Sequence, residues 1–162
     1  MKDFISNFKT TVIGSLDEKG NPFSSYAPFI YHDNKFYIYI SDIATHAKNI
    51  KAHENCSLFF IEDESKTENL FARKRISLQG NAKLIKRGSE TFETLFTFYH
   101  DKFDSTHDKM VEMLKKMEDF NLFEITISSG EATFGFGEAY IIGGENMNEL
   151  IARTGGSGHH KK

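Results

Sequence analysis

The chain has no tryptophan, and only one cysteine and two prolines in 162 residues. A single thiol cannot pair within the chain, which excludes a disulfide framework and fits a reducing, cytoplasmic compartment. Cys56 stands beside Ser57, Leu58, Phe59 and Phe60, the setting of a buried thiol at the start of a strand and not of a nucleophile. No window approaches the roughly 18 apolar residues that a membrane span requires. The opening MKDFISNFKT is interrupted by charge, so no secretory signal is expected. Charge of one sign is also lacking: 20 basic against 23 acidic residues leave −3, which argues against nucleic acid as partner of the whole surface. Neither GxGxxG after a first strand nor GxxxxGKS/T occurs, so dinucleotide and P-loop phosphate binding have no support.

What the chain has is aromatics. Sixteen Phe and six Tyr can fill one sizeable core in a domain of this length without staples. The first half reads as strands: Thr10 to Leu16 is rich in β-branched residues, and the Gly and Pro of Asp17 to Pro22 allow a reversal into Phe23 to Tyr31. Across His32-Asp33-Asn34, Phe36, Ile38 and Ile40 alternate with Tyr37 and Tyr39, as in a half-buried strand. Ser41-Asp42 offers helix-capping oxygens, which predicts a helix to about His53 with Ile43, Ala44, Ala47 and Ile50 on its apolar face. Cys56 to Ile61 and Arg75 to Lys86 are further strands, separated by the charged stretch Glu62 to Asn69.

The second half changes period. Phe92, Leu95, Phe96 and Tyr99, then Val111, Met113, Leu114 and Met117, recur at three and four residues and predict two amphipathic helices divided by the polar His100 to Asp108. Strand returns in Phe120 to Ile127, a turn is expected at Ser128-Ser129-Gly130, and strand resumes over Ala132 to Ile142 with Gly135 and Gly137 marking a bend or a close approach. The order predicts an α+β, mainly β domain: an antiparallel barrel of about six strands with peripheral helices, spanning residues 1–146. Residues 147–162 read as a flexible C-terminal tail ending in Gly158-His159-His160.

Candidate chemistry is sparse. His46 and His53 are seven residues apart and match no zinc template, so surface or capping roles are the default for them, as for His100 and His107. No Ser/His/Asp or Cys/His arrangement is visible. At the entry to the long strand, alternation sends Arg73 and Arg75 to one face if the strand has begun, so two guanidiniums would converge on an oxyanion, or else simply guard a strand edge.

Three stretches carry a resemblance: TVIGSLDEKGNPFSSYAPFIY, SDIATHAKNIKAHENCSLFFIED and LFARKRISLQGNAKLI. They look like the pyridoxamine-phosphate-oxidase-like, FMN-binding split-barrel superfamily. Ala72-Arg73-Lys74-Arg75, Asp119-Phe120, Gly135-Phe136-Gly137-Glu138-Ala139 and the Gly-His tail resemble its haem-utilisation branch, the HugZ/HutZ type. The resemblance implies a split-barrel homodimer that binds haem at its interface and opens the porphyrin with release of iron, using an external electron donor. Carried onto this chain, it makes His159 or His160 the iron ligand and Arg73 or Arg75 the arginine lying across the haem. Asp119 would then accept a hydrogen bond from the ligand's other ring nitrogen. Within the same fold, a haem carrier or an FMN-dependent oxidoreductase are the alternatives; Ser41, Lys48 and Asn49 lie in the segment that matches the cofactor-proximal region of flavin relatives.

Overall fold

The computed structural model describes residues 1–103 and 109–153. After a one-turn helix α1 (Lys2–Ile5), β1 (Thr10–Leu16) and β2 (Pro22–His32) form the first hairpin, and β3 (Lys35–Ser41) the second. The second hairpin turns on Asp33 and Asn34, both at positive φ (49° and 59°), where short polar side chains tolerate the left-handed conformation of a tight two-residue turn. Helix α2 (Thr45–Ala52) leads to β4 (Asn55–Ile61), two 3₁₀ turns (Glu64–Lys66 and Leu70–Ala72) to β5 (Arg75–Ile85), and helices α3 (Glu90–Phe103) and α4 (Met110–Lys116) to β6 (Phe120–Thr133). A hairpin of β7 (Ala139–Gly143) and β8 (Glu149–Ala152) completes the described chain.

Strand order β3-β2-β1-β4-β5-β6 closes on itself because β6 also pairs with β3, from Phe36 opposite Ile125 to Ser41 opposite Phe120. All pairings are antiparallel, so the expected six-stranded barrel is present; β7 and β8 extend the sheet from the far end of β6. Alternation fills the barrel: Ile13, Phe29, Phe36, Ile38, Leu58, Phe60, Ile76, Leu78, Phe123 and Ile125 point inward. Helix α2 places Ala47 and Ile50 in the same core. Outside the barrel, α3 lays Phe92, Leu95, Phe96, Tyr99 and Phe103 over Ile30, Tyr37, Tyr39 and Leu122 to form a second core.

Several local readings are corrected. β3 is buried on both faces rather than half-buried, because α3 covers the tyrosine side. Helix α2 starts at Thr45; Ser41 instead ends β3, its hydroxyl accepts the Ile43 N–H (3.2 Å), and Ile43 is 79% exposed. Asn49, placed by sequence off the apolar face, is buried and donates to Ser15 Oγ at 3.1 Å. No turn interrupts β6 at Ser128 to Gly130: the strand runs through, absorbing one residue as a bulge opposite Gln79 and Gly80. The break falls instead at residues 134–138, where Gly137 takes φ +77°. His100 lies on α3, which continues to Phe103, rather than in the link. The segment read as a tail begins with β8 paired to β7, and residues 154–162 lie outside the described residues.

Candidate functional site

The outer face of the sheet from β2 to β8 is left largely open, and its register builds a continuous row of side chains. Tyr26 pairs with Val12, Val12 with Phe59, Phe59 with Ser77, Ser77 with Glu131, Glu131 with Ile141 and Ile141 with Ile151. Tyr26, Val12, Ile141 and Ile151 are exposed, an apolar stripe of the kind that marks an interaction surface. Two residues along the strands, Ser24, Gly14, Ser57, Gln79 and Ser129 form a parallel row of small and polar groups. A shallow cleft of about 370 Å³ opens there between Gly14, Ser57, Cys56, Gln79 and Gly80. Gly14 leaves room for the Ser57 hydroxyl, which would have to turn away from a Cβ at this position.

At one end of this face lies the basic entry to β5. Strand pairing begins only at Arg75, so the alternation expected to align Arg73 with Arg75 does not reach Arg73. The Arg73 guanidinium folds back instead: Nε donates to the Glu62 carbonyl (3.2 Å), one terminal nitrogen donates to the same oxygen, and the other pairs with the Glu64 carboxylate at 3.4 Å. It thereby closes the β4–β5 connection. Among the described residues the Arg75 guanidinium makes one hydrogen bond, to the Arg73 carbonyl at 3.0 Å, which leaves most of its donors unspent there. Two aromatics stand in solvent at the same end: Phe71, 89% exposed, and Phe136, 72% exposed, at the tip of the β6–β7 turn. Arg75 pairs with Thr133 and Thr133 with Ala139, which puts that turn next to the basic strand start.

Asp119 sits at the opposite end of β6. Its carboxylate accepts from Ser41 Oγ at 2.6 Å, and its carbonyl accepts the Asp42 N–H at 2.8 Å, so the end of β3 holds it. A strand path of roughly 45 Å, at about 3.3 Å per residue, separates Asp119 from the strand position paired with Arg75. Asp119 and Arg75 therefore lie at opposite ends of β6 within one chain. His159 and His160 lie outside the described residues, as does His107. Among the described residues, no group of three or more His, Cys, Asp or Glu side chains is arranged to hold a metal ion.

Of the residues matching the flavin-proximal segment, Lys48 is exposed, Asn49 is committed to Ser15 and Ser41 to Asp119. Burial pushes the Cys56 thiol up to about 12, which fits the reading of an inert thiol. Sequence reasoning missed two arrangements. His46 Nδ1 lies 2.9 Å from Ser25 Oγ, and burial lowers the imidazole's pKa. Arg87 donates to the carbonyls of Lys115 (2.8 Å), Met117 (2.8 Å) and Phe120 (2.5 Å) and to the Tyr39 hydroxyl (2.8 Å), bracketing Asp119. Neither carries a local signal, because the partners come from strands and helices distant in sequence.

Comparison with known proteins accords with this architecture. A family model described as pyridoxamine 5'-phosphate oxidase matches residues 1–134. A protein of Vibrio cholerae serotype O1 named heme oxygenase HutZ is 31% identical over 161 residues, covering 99% of this chain and 88% of HutZ. A crystal structure of HutZ, called there the heme storage protein from Vibrio cholerae, superposes with TM-score 0.76 over 83% of this chain and 93% of that one. The Campylobacter jejuni ChuZ structure, also 31% identical, superposes with TM-score 0.85 over 99% of this chain, which spans 63% of ChuZ's length. A Mycobacterium smegmatis structure, 15% identical, shares the fold (TM-score 0.76). Among the described residues no helix is long and apolar enough to cross a membrane. The chain belongs to the pyridoxamine 5'-phosphate oxidase family of split barrels, in its HutZ-type branch.

Proposed function

We propose that two copies of this chain pack through the open sheet face, hold haem between them, and open its porphyrin ring with release of iron, serving iron acquisition in the cytoplasm. The observation that carries this reading is the 31% identity, over 99% of the chain, to a protein named heme oxygenase HutZ. The geometry supports it in two respects. The exposed apolar row and the solvent-facing Phe71 and Phe136 supply the apolar surface a porphyrin needs, and Arg75 and Lys74 beside them can meet its carboxylates. Asp119 and Arg75 stand at opposite ends of β6, so a site that uses both has to take one from each subunit of a two-fold pair.

In this reading haem is substrate as well as the centre that activates oxygen, and it supplies the redox-active iron and the ring carbon that is oxidised. One of His159 and His160 would hold the haem iron through an imidazole nitrogen. Asp119, fixed by Ser41, accepts the other imidazole N–H and so sets its tautomer. Arg75, whose guanidinium is less committed than that of Arg73, would stabilise negative charge that develops on the bound haem. Electrons come from an external donor.

A second reading, haem storage or transfer without turnover, is favoured by the name given to the HutZ crystal structure. An absorption titration with haemin, followed by ascorbate in air with catalase present, separates the two. A saturable Soret band that bleaches, with a bilin product and free iron, is expected; a stable band points to the carrier. Uptake of FMN with no Soret band would overturn both in favour of a flavin-dependent oxidoreductase of this family. His159→Ala with His160→Ala should abolish the haem spectrum, and Arg75→Ala should keep it while slowing ring opening.

A further inference from the structure

Away from the open face, a cleft of about 490 Å³ lies between α1, the end of β2 and the last turns of α3. It exists because β2 changes partners at Pro28. Up to Pro28 the strand pairs with β1; from Phe29 onward it pairs with β3, and its other edge has no strand beside it. Phe29 turns both main-chain groups to that edge, its N–H donating to the Lys9 carbonyl (3.3 Å) and its carbonyl accepting from Lys102 Nζ (2.8 Å). By the two-residue period of a strand, Tyr31 turns its amide to the same edge.

Lys102 is the unusual group here. Its ammonium lies 3.8 Å from the centre of the Phe29 ring, half-buried, with Lys9 close enough to oppose its charge. No carboxylate among the described residues comes within 4 Å of it; it lies against the Phe29 carbonyl and ring, with the Phe103 ring 5.6 Å away. Among the described residues two of its three hydrogens remain for a ligand. The walls are flat: His32 stacks on Phe98 (4.2 Å, 25°), and Tyr31 faces Lys2 at 5.9 Å. Ile5 and Ile30 line the cleft as well. Asp101, the one acid among the described residues lining the cleft, is largely exposed and is directed to His100 at 3.8 Å.

We propose that this cleft is a ligand site, separate from the haem site, for a planar aromatic monocarboxylate, its carboxylate on Lys102 and its ring against Phe98 and His32. A half-buried cation with no acid within 4 Å among the described residues, at an open strand edge, is the arrangement that an anion completes: the carboxylate takes the spare ammonium hydrogens and the Tyr31 N–H, and the apolar ring replaces water on Phe98. Burial and Lys9 lower the Lys102 ammonium to about 8, so the free site loses its cation at alkaline pH. Lys2, Tyr31, His32 and Asp101 also face the cleft and Lys9 acts on Lys102 from beside it, and a Lys102 variant separates their contribution from that of Lys102.

The probe is 2-naphthoate, whose fluorescence reads cleanly against a protein without tryptophan. Saturable binding is expected at pH 7, with neutral 2-naphthamide about tenfold weaker or worse, the cost of losing a charge-assisted hydrogen bond. Affinity should fall by about tenfold per pH unit above 8. Lys102→Gln should remove both the preference for the acid and the fall, Lys102→Arg should keep the preference, and Phe98→Ala should weaken binding of acid and amide alike. Circular dichroism confirms that each variant is folded. Equal affinity for acid and amide, a flat pH profile in the wild type, or full binding by folded Lys102→Gln would overturn the proposal. Because the assay uses haem-free protein, its outcome is independent of the haem reading.

Discussion

Arg87 offers the sharpest test of how this fold holds its candidate site. One guanidinium reaches four acceptors, the carbonyls of Lys115, Met117 and Phe120 and the Tyr39 hydroxyl, of which the Met117 carbonyl also accepts the Phe120 N–H (3.3 Å) and the Tyr39 hydroxyl also donates to the Leu114 carbonyl (3.2 Å). It also lies 5.4 Å from the centre of the Phe92 ring in the second core. In Arg87→Ala the Met117 carbonyl keeps the Phe120 N–H and the Tyr39 hydroxyl keeps its bond to the Leu114 carbonyl, but the half-buried Lys115 and Phe120 carbonyls lose their charged donor at about 1–3 kcal/mol each. Partial hydration and relaxation reduce the sum, and a loss of about 3 kcal/mol is expected. With a urea slope of about 2 kcal/mol per M, the unfolding midpoint should drop by roughly 1.5 M. Amide exchange from Met117 to Asn121 should accelerate, because the segment loses its anchor on both sides of Asp119. Arg87→Lys, with a point charge in place of a fork, should recover less than half of the loss. A loss under about 1 kcal/mol, or full recovery by lysine, would refute the assignment of Arg87 as the clasp of this segment.

Gly80→Ala should cost about 2–4 kcal/mol, because the added Cβ would come within 2.5 Å of the Thr126 carbonyl oxygen at the bulge; an unchanged melting temperature would show that the bulge can move. Lys102 carries its depressed pKa, about 8 against 10.5 unfolded, so between those values the unfolded chain binds more protons and stability should rise with pH. After allowance for solvent screening that rise is about 1–2 kcal/mol, read as wild type minus Lys102→Met; a difference that stays constant from pH 7 to 11 would contradict it. Cys56, buried and held up at about 12, should resist a thiol-specific disulfide reagent in the native protein and react at once in urea, whereas rapid native labelling would place it at an accessible surface.

Local chemistry determined much of this protein. The alternation of Phe36, Ile38 and Ile40, the Asp33-Asn34 turn and the three-and-four spacing of Phe92, Leu95, Phe96 and Tyr99 are properties of short windows, and the chain builds those elements where the pattern puts them. Where a local preference met a long-range pairing, the pairing won: Ser128-Ser129-Gly130 has turn chemistry, yet ladders with β5 on one side and β7 on the other hold it extended. The haem-branch resemblance named Arg73, Arg75 and Asp119, but only the assembled barrel decided what each can do. Arg73 is spent on Glu62 and Glu64, Arg75 keeps donors free, and Asp119 stands at the far end of β6 under the Ser41 hydroxyl. The same holds for Arg87 and Lys102, whose importance comes from carbonyls and rings contributed by other elements. Periodicity and turn propensity act within a few residues and are written in the sequence. A side chain's charge environment depends on which strands end up adjacent, and that is settled only when the barrel closes.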